Sequence, residues 1–360
     1  MIPGIIHEAL SAGREVPTHG TDCLTVQEVL VRVGTTLLVS LVALLVASAC
    51  APAPAAGPAS TVMSAPATSA PDHAAPSSVP ATSAEVSPCP IAPVTAIAVE
   101  NFYGNILKQL GGQCVNVTSV LTDPSADPHE YQPSANDAKS YQTAQFIVEN
   151  GLGYDDFSDR IIATLSKKPV VLNVGDMLGL KVGDNPHVWY SPDYVEKIAR
   201  AMTQGLKQTA PSAGSYFDER ASAFSDGLAA YRAALAQLQT RFKGTPIGST
   251  ESIFAYMASA AGLNLVSPPT FMKAVSEGND PAARDLALFQ DQITKHQIKV
   301  LVYNTQTVNN LTDQLKTMAT ADSVPIVGVS ETMPLDATSF QDWQVNQLQQ
   351  LIKALAGNGG

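Results

Sequence analysis

The sequence has few basic residues and few charged residues of any kind. It contains 21 lysines and arginines against 32 aspartates and glutamates, which gives a formal net charge of −11 over 360 residues. A nucleic-acid-binding protein needs a concentrated basic surface to neutralise phosphates, so this balance argues against that class. The four cysteines are too few and too widely spaced for a disulfide-built scaffold or a zinc finger.

Long apolar runs are also scarce, and the one that approaches membrane length lies at residues 33–50. Its apolar core of about 11 residues is too short for a membrane-spanning helix, which needs about 20 residues, but fits the hydrophobic region of a signal peptide. The small residues Ala47-Ser-Ala before Cys50 resemble the cleavage site of bacterial lipoproteins. We therefore predict a signal peptide over residues 1–49 and lipidation of Cys50. The alternative is a short uncleaved anchor in which the cysteine is incidental.

The residues on either side of this run differ from those of a folded domain. Those before Arg32 lack the basic start of a signal peptide, so we expect translation to begin downstream of Met1. Residues 51–90 contain 12 Ala, 9 Pro and 7 Ser but no Leu, Ile or aromatic residue. Such a segment cannot bury enough apolar surface to offset the entropy lost on folding. We therefore predict that residues 50–90 are a disordered tether, which places a folded domain at the outer face of the cytoplasmic membrane.

From residue 91 onward, short β-branched runs alternate with helical stretches, which predicts an α/β fold with mostly parallel sheets. The predicted strands form two groups, at residues 93–99, 115–121, 146–148 and 170–174 and at residues 245–250, 300–303 and 325–329. Between the groups, apolar residues recur at spacings of four and three from Phe217 to Phe242, which predicts one long helix. We expect two lobes of mostly parallel sheet with flanking helices, residues 91–210 and 244–360, joined by an interlobe helix at residues 211–243.

Two cysteines near the starts of the first two predicted strands are placed where they could pair. Cys89 lies just before the first predicted strand, and Cys114 immediately precedes the second. In a βαβ unit both strands start at the same edge of the sheet, and an extracytoplasmic compartment is oxidising. We therefore predict a disulfide between Cys89 and Cys114. The alternative is two unpaired thiols.

Histidine occurs six times, and four of the six have an ordinary explanation. Three lie in the predicted signal peptide or tether, and His296 ends a predicted helix, where an imidazole interacts favourably with the helix dipole. His129 and His187 remain, and each follows a proline in a loop of the first lobe. His129 lies beyond the carboxyl end of a predicted strand, where open α/β sheets bind ligands.

Carboxylates occupy the corresponding positions of the second lobe. Glu251 follows the strand at residues 245–250, and Glu331 follows the strand at residues 325–329. Either glutamate alone could cap a helix or face solvent, and a structural role is open for either histidine alone. Together, two imidazoles and two carboxylates suit manganese, iron or zinc but not copper(I). A divalent cation would also relieve the repulsion between the carboxylates.

Six short motifs lie along the predicted folded part, and four of them contain these residues. The motifs are Asn101-Phe-Tyr, Asp127-Pro-His-Glu-Tyr, Asn150-Gly-Leu-Gly-Tyr, Pro186-His-Val-Trp-Tyr-Ser, Ser249-Thr-Glu and Ser330-Glu-Thr. In the order and spacing of these motifs, over residues 93–355, the sequence resembles the solute-binding lipoproteins of bacterial zinc- and manganese-uptake ABC transporters. The resemblance implies metal ligands at His129 and His187 in the first lobe and at Glu251 and Glu331 in the second. It also implies that the interlobe helix is rigid.

The resemblance bears on the choice of metal as well. Glu251 stands where zinc-type members have a third histidine, and the sequence has no His-rich acidic loop of the kind many zinc-specific members carry. Both features favour manganese slightly, although zinc and iron(II) accept the same donors. Many members have glutamate where this chain has Asn304, so Asn304 is left outside the predicted ligand set.

The function implied by the resemblance is capture of Mn²⁺ or Zn²⁺ in the cleft between the lobes and delivery to an ABC permease and its ATPase. We expect a monomeric, lipid-anchored protein that is not an enzyme. The alternatives are a surface adhesin or scaffold, a metallohydrolase with the same ligands, and a related binding protein for iron–siderophore complexes. A hydrolase would need an open coordination position and a positioned base, and the sequence contains no His-Glu-x-x-His motif.

Overall fold

The computed structural model describes residues 88–124 and 131–357. The predicted signal peptide, most of the tether, Cys50 and His129 lie outside the described residues, so what is expected of them remains a prediction. The described part of the chain contains no helix that is both long enough and apolar enough to cross a membrane.

The first lobe is built on a four-stranded sheet. Its elements are β1 (Val94–Glu100), α1 (Asn101–Gly111), β2 (Val115–Leu121), α2 (Ala135–Tyr141), β3 (Phe146–Glu149), α3 (Asp156–Thr164), β4 (Val170–Asn173), α4 (Val174–Leu178) and α5 (Pro192–Thr209). The strand order is β2-β1-β3-β4, and every pair is parallel. β1 is an internal strand and is buried along almost its whole length, as expected of a parallel strand covered on both faces.

The interlobe segment consists of two helices, whereas the sequence predicts one continuous helix. They are α6 (Gly214–Gly227) and α7 (Ala229–Arg241), and Leu228 between them leaves helical geometry with φ −77° and ψ 0°. The break directly follows Gly227, and glycine is a poor helix former. The predicted apolar spacing continues on both sides of the break. Phe217 and Phe224 before it and Tyr231 and Leu238 after it are buried.

The second lobe repeats the strand order of the first. Its elements are β5 (Pro246–Ser249), α8 (Ala255–Ala260), β6 (Asn264–Leu265), α9 (Pro269–Ser276), α10 (Ala283–Thr294), β7 (Leu301–Asn304), α11 (Asn310–Ala321), β8 (Ile326–Val329) and α12 (Phe340–Gly357). The order β6-β5-β7-β8, again with parallel pairs throughout, matches β2-β1-β3-β4. The predicted α/β fold with two parallel sheets is therefore confirmed. Strand β6 was not predicted, because two residues are too few to show a periodic pattern.

Aromatic side chains and the interlobe helices join the two lobes into one core. Phe102 and Trp189 of the first lobe stack with their ring centroids 4.3 Å apart. The ring centroid of Tyr190 lies 6.0 Å from that of Phe254 and 6.0 Å from that of Trp343, both in the second lobe. α6 packs against α1 and α5, while α7 packs against α12. A large separation of the lobes would expose this continuous apolar core, which makes small movements more favourable than wide opening.

A disulfide connects the segment before β1 to the start of β2. The sulfurs of Cys89 and Cys114 lie 2.09 Å apart, and the two Cα atoms lie 5.3 Å apart. The parallel register pairs Val94 with Val115, which brings both strand starts to one edge of the sheet, as the sequence argument requires. The bridge has the connectivity that the sequence predicts.

Candidate metal centre

Three fully buried side chains with metal-binding groups converge where the lobes meet. His187, Glu251 and Glu331 each contribute one donor atom, and these atoms lie within 4.8 Å of one another. Nε2 of His187 lies 3.7 Å from Oε2 of Glu331. Donors around a tetrahedral ion with bonds of about 2.1 Å are about 3.4 Å apart, so shifts on the order of 1 Å would complete such a site.

The topology explains why these residues meet. Glu251 lies two residues beyond β5, and Glu331 lies two residues beyond β8. Parallel strands present their carboxyl ends at one edge, so both glutamates lie at the same edge of the second sheet. His187 reaches them from the first lobe, in the loop after α4 and directly before the single helical turn Val188–Tyr190.

The imidazole of His187 is oriented by Asn185. Oδ1 of Asn185 accepts a hydrogen bond from the backbone N–H of His187 at 3.1 Å and lies 2.7 Å from Nδ1 of the same residue. A backbone N–H can only donate, so the Asn185 atom is an acceptor and Nδ1 must carry the proton. Nε2 is then the nitrogen with the lone pair, and it faces Glu331. This is the arrangement in which histidine binds metal ions.

Hydrogen bonds also orient the two carboxylates. Tyr154 donates from Oη to Oε2 of Glu331 at 2.8 Å. Asn304, the last residue of β7, donates from Nδ2 to Oε1 of Glu251 at 2.6 Å and to Oε1 of Glu331 at 2.7 Å. Among the described residues no lysine or arginine is buried, and these polar side chains hold the two carboxylates close together. Their close approach therefore depends on polar donors and favours a cation between them.

The loop that holds Tyr154 is shaped by a buried aspartate. Gly151, Leu152 and Gly153 have φ values of 71°, 63° and 85°. Residues other than glycine seldom adopt this left-handed backbone region. Asp155 fixes this path because its two oxygens accept hydrogen bonds from the backbone N–H groups of Asn150 and Gly151, each at 2.7 Å. A side chain at residue 151 would also meet Asn173, only 2.3 Å from its Cβ position.

Asp155 belongs to a group of three buried acidic residues in the first lobe. Burial, reinforced by the charge of Asp155, raises the pKa of Glu149 to about 7. Burial likewise raises the pKa of Asp155 to about 6. Burial and then the charge of Asp155 raise the pKa of Glu100 well above its ordinary range. Each of these carboxyls therefore keeps its proton to a higher pH in the folded first lobe than in water.

A cavity of about 460 Å³ adjoins the cluster between the lobes. Tyr154 and Asn185, the hydrogen-bond partners of Glu331 and His187, line it from the first lobe, and Ser252 and Lys273 line it from the second. The cavity therefore reaches the residues that orient the donors.

The sequence predicts four ligands, and the structure brings three of them together, while His129 lies outside the described residues. Asn304 is not among the predicted ligands, and the structure places that residue between the two carboxylates. Its position in the sequence could have indicated this, because Asn304 lies at the carboxyl end of a buried strand. Glu251 and Glu331 were identified by the same pattern. Tyr154 ended one of the motifs, but no role was assigned to it.

The family model of the periplasmic component A of zinc-uptake complexes, ZnuA, matches residues 97–354, well over half of the chain. The chain belongs to the ZnuA family.

Among its relatives is the zinc-binding lipoprotein AdcA of Streptococcus pneumoniae, which is 24% identical over 278 residues, covering 71% of this chain and 54% of AdcA. The chain thus spans about half the length of that relative. The manganese-binding lipoprotein MntA of Bacillus subtilis is 22% identical over 207 residues, covering 54% of this chain and 65% of MntA.

Among solved structures, the periplasmic zinc-binding protein TroA of Treponema pallidum superposes with a TM-score of 0.62 at 17% identity. The superposition covers 73% of this chain and 99% of TroA. At this identity the likeness shows the shared fold.

Proposed function

We propose that this protein captures a divalent transition-metal ion outside the cytoplasm and passes it to an ABC permease for import. The observation that carries the proposal is the convergence of His187, Glu251 and Glu331 at full burial. Two carboxylates and an imidazole that converge at full burial are best balanced by a divalent cation. The names of relatives that bind zinc or manganese support the same reading.

The proposed ligand set is His187, Glu251 and Glu331, with His129 as a fourth ligand. These nitrogen and oxygen donors suit zinc, manganese and iron(II). The ion is cargo that is bound and released, so we assign no catalytic residue.

The proposal is tested by stripping the purified protein of metal with a chelator and titrating it with Zn²⁺ and Mn²⁺ against a competing indicator. We expect one ion to bind per chain. His187→Ala and Glu251→Ala should each lower the affinity by orders of magnitude, because each removes one donor from a small site. His296→Ala and Glu219→Ala are matched controls, since both side chains are exposed and far from the cluster in sequence. Wild-type protein without stoichiometric binding, or unchanged affinity in the ligand variants, would contradict the proposal.

We propose further that Cys50 carries a lipid and that residues 50–90 tether the domain to the outer face of the cytoplasmic membrane. The lipoprotein names of AdcA and MntA support this. The partners would then be the permease in that membrane and its ATPase, with the binding protein acting as a monomer. Cys50→Ala should move the protein from the membrane fraction to the soluble fraction, whereas Ser60→Ala in the tether should not. A Cys50→Ala protein that stays with the membranes would instead support an uncleaved anchor.

A further inference from the structure

A side chain of the first lobe binds the backbone of the second lobe close to Glu331. Asn101 is the first residue of α1, and its Nδ2 donates a hydrogen bond to the backbone oxygen of Met333 at 2.7 Å. The backbone N–H of Met333 donates in turn to Oδ1 of Asn101 at 2.9 Å. An N–H can only donate and a carbonyl oxygen can only accept, so both bonds fix the same orientation of the amide. The two bonds together form a clamp between the lobes.

This clamp acts on the segment that follows β8. Glu331 and Thr332 are buried in that segment, and Met333 comes directly after them. The second lobe holds the segment at Thr332, because Gln306 accepts a hydrogen bond from its backbone N–H at 2.7 Å and donates to its Oγ1 at 2.9 Å. The first lobe holds the same segment at Met333 through Asn101. The backbone that carries Glu331 is therefore placed by contacts with both lobes.

Glu331 also contacts the first lobe through its carboxylate. Tyr154 donates to Oε2 of Glu331 at 2.8 Å, and Nε2 of His187 lies 3.7 Å from the same oxygen. These contacts orient a side chain with several rotatable bonds, whereas the clamp limits the position of the backbone. A backbone that moves away from the first lobe takes the carboxylate away from His187. The clamp therefore opposes the movement that separates these two donors.

Two further amides of α1 reach the second lobe on the same face of the helix. Asn105 lies about one turn beyond Asn101, and its Oδ1 accepts a hydrogen bond from the backbone N–H of Phe340 at 2.9 Å. Gln109 lies about one turn further and forms side-chain hydrogen bonds with Gln341 at 2.8 and 2.9 Å. Residues four apart share one face of a helix, so this face of α1 carries a row of interlobe contacts. Of the three amides, that of Asn101 binds nearest in sequence to a proposed metal ligand.

We propose that Asn101 is a positioning residue that holds the backbone of Glu331 against the first lobe and thereby slows metal release. The ion is held between residues of different lobes, so separation of His187 from Glu331 frees it. The clamp stabilises the arrangement in which these residues are close and must break before they separate. Such a group shifts the population towards the closed arrangement and raises the barrier to release. The inference rests on the proposed function.

The test compares the wild-type protein with Asn101→Ala and Asn105→Ala. Alanine favours helix formation, so α1 should keep its structure while the amide is lost. Asn105→Ala is the matched control, since it is the same substitution on the same helix and also removes an interlobe hydrogen bond. The full chain, loaded with Zn²⁺ or Mn²⁺, is mixed rapidly with an excess of a chelating indicator, which gives the release rate. Competition titration gives the affinity, and urea unfolding of the metal-free protein gives the stability.

We expect Asn101→Ala to release the ion about tenfold faster than the wild type, because two hydrogen bonds are lost. Its affinity should fall by a similar factor. Asn105→Ala should stay within about threefold of the wild-type rate, since the single bond that it removes lies further along the chain from Glu331. A merely structural role of Asn101 would lower the stability of the metal-free protein and leave the release rate at the wild-type value.

A second variant covers the case in which Asn101→Ala fails to fold by circular dichroism. Asn101→Ser then decides the question, because serine suits the start of a helix and is too short to bind both backbone groups of Met333. It should release the ion faster than the wild type, as expected of Asn101→Ala.

Three results would overturn the inference, and they differ in what else they overturn. A wild-type release rate in the Asn101 variant would refute the role of Asn101 and leave the metal-capture function intact. Equal acceleration in Asn101→Ala and Asn105→Ala would assign the effect to general adhesion of the lobes and not to the position of Glu331. A wild-type protein that binds neither ion would refute the proposed function and the role of Asn101 together.

Discussion

The two lobes share one strand order and bury polar residues at corresponding strand ends, yet they hold these residues in different ways. In the first lobe β1 ends in Glu100 and β3 ends in Glu149. In the second lobe Glu251 follows β5, the counterpart of β1, and Asn304 ends β7, the counterpart of β3. At these two corresponding strand ends, the first lobe has two buried glutamates. The second lobe has one buried glutamate and the asparagine that donates a hydrogen bond to it.

The neighbours decide how each acidic group is stabilised. In the first lobe, acidic groups lie near one another, and burial raises the pKa of both Glu149 and Asp155. There the raised pKa values lower the number of buried negative charges at a given pH. In the second lobe, Asn304 donates to Glu251 and Glu331, and His187 approaches Glu331 from the other lobe. There the arrangement is suited to a metal ion, so the two lobes differ in how they accommodate buried carboxyl groups.

The largest expected difference comes from making the same change in both lobes. Glu331→Gln should lower metal affinity by several orders of magnitude, because it removes a charged donor from the site. Glu149→Gln should lower it by less than about tenfold, since it removes a group that acts at a distance. Competition titration at neutral pH measures both variants. Equal losses of affinity would end the distinction between the lobes.

The disulfide offers a second contrast, because it is confined to the first lobe. Cys89→Ala should lower the free energy of unfolding by about 3 kcal/mol, since the bridge no longer restricts the unfolded chain. Urea unfolding of the metal-free protein measures the change. Reductant should destabilise the wild type by a similar amount and leave Cys89→Ala unaffected. Two free thiols at Cys89 and Cys114 in alkylated, unreduced protein would contradict the bridge.

The smallest expected effect is a pH dependence that originates in the first lobe. A carboxyl with a raised folded-state pKa keeps its proton where the unfolded chain has lost it, so stability falls as the pH rises. For Glu149 the window runs from the ordinary pKa of 4.5 to about 7. The loss across it is at most about 3 kcal/mol.

Urea unfolding of the metal-free protein at several pH values should show stability decreasing through this window. Glu149→Gln should flatten the decrease, because glutamine does not titrate. Asp218→Asn is a suitable control, since Asp218 is exposed on α6. A wild-type slope that persists unchanged in Glu149→Gln would assign the pH dependence to other groups.

Much of the architecture could be read from local patterns. Residues 115–121 were predicted as a strand and form β2 with the same bounds. The apolar spacing from Phe217 to Phe242 correctly marked a buried helical face, but it did not show the interruption at Leu228. Side-chain spacing is insensitive to a one-residue break when the same face stays buried. Strand β6 was invisible for a different reason, since it exists mainly through its pairing with β5.

The candidate site likewise has features that local patterns predict and features that they do not. The sequence by itself determined that Glu251 and Glu331 follow strands and that His129 and His187 each follow a proline in a loop. Together with the family resemblance, this was enough to name all four as candidate metal ligands. Only the tertiary structure decided that Asn304 lies between the two carboxylates, and that Asp155 fixes the loop of Tyr154. These relations depend on which strands are neighbours and on how two lobes meet. Both are contacts between distant parts of the chain, and no local pattern of residues specifies them.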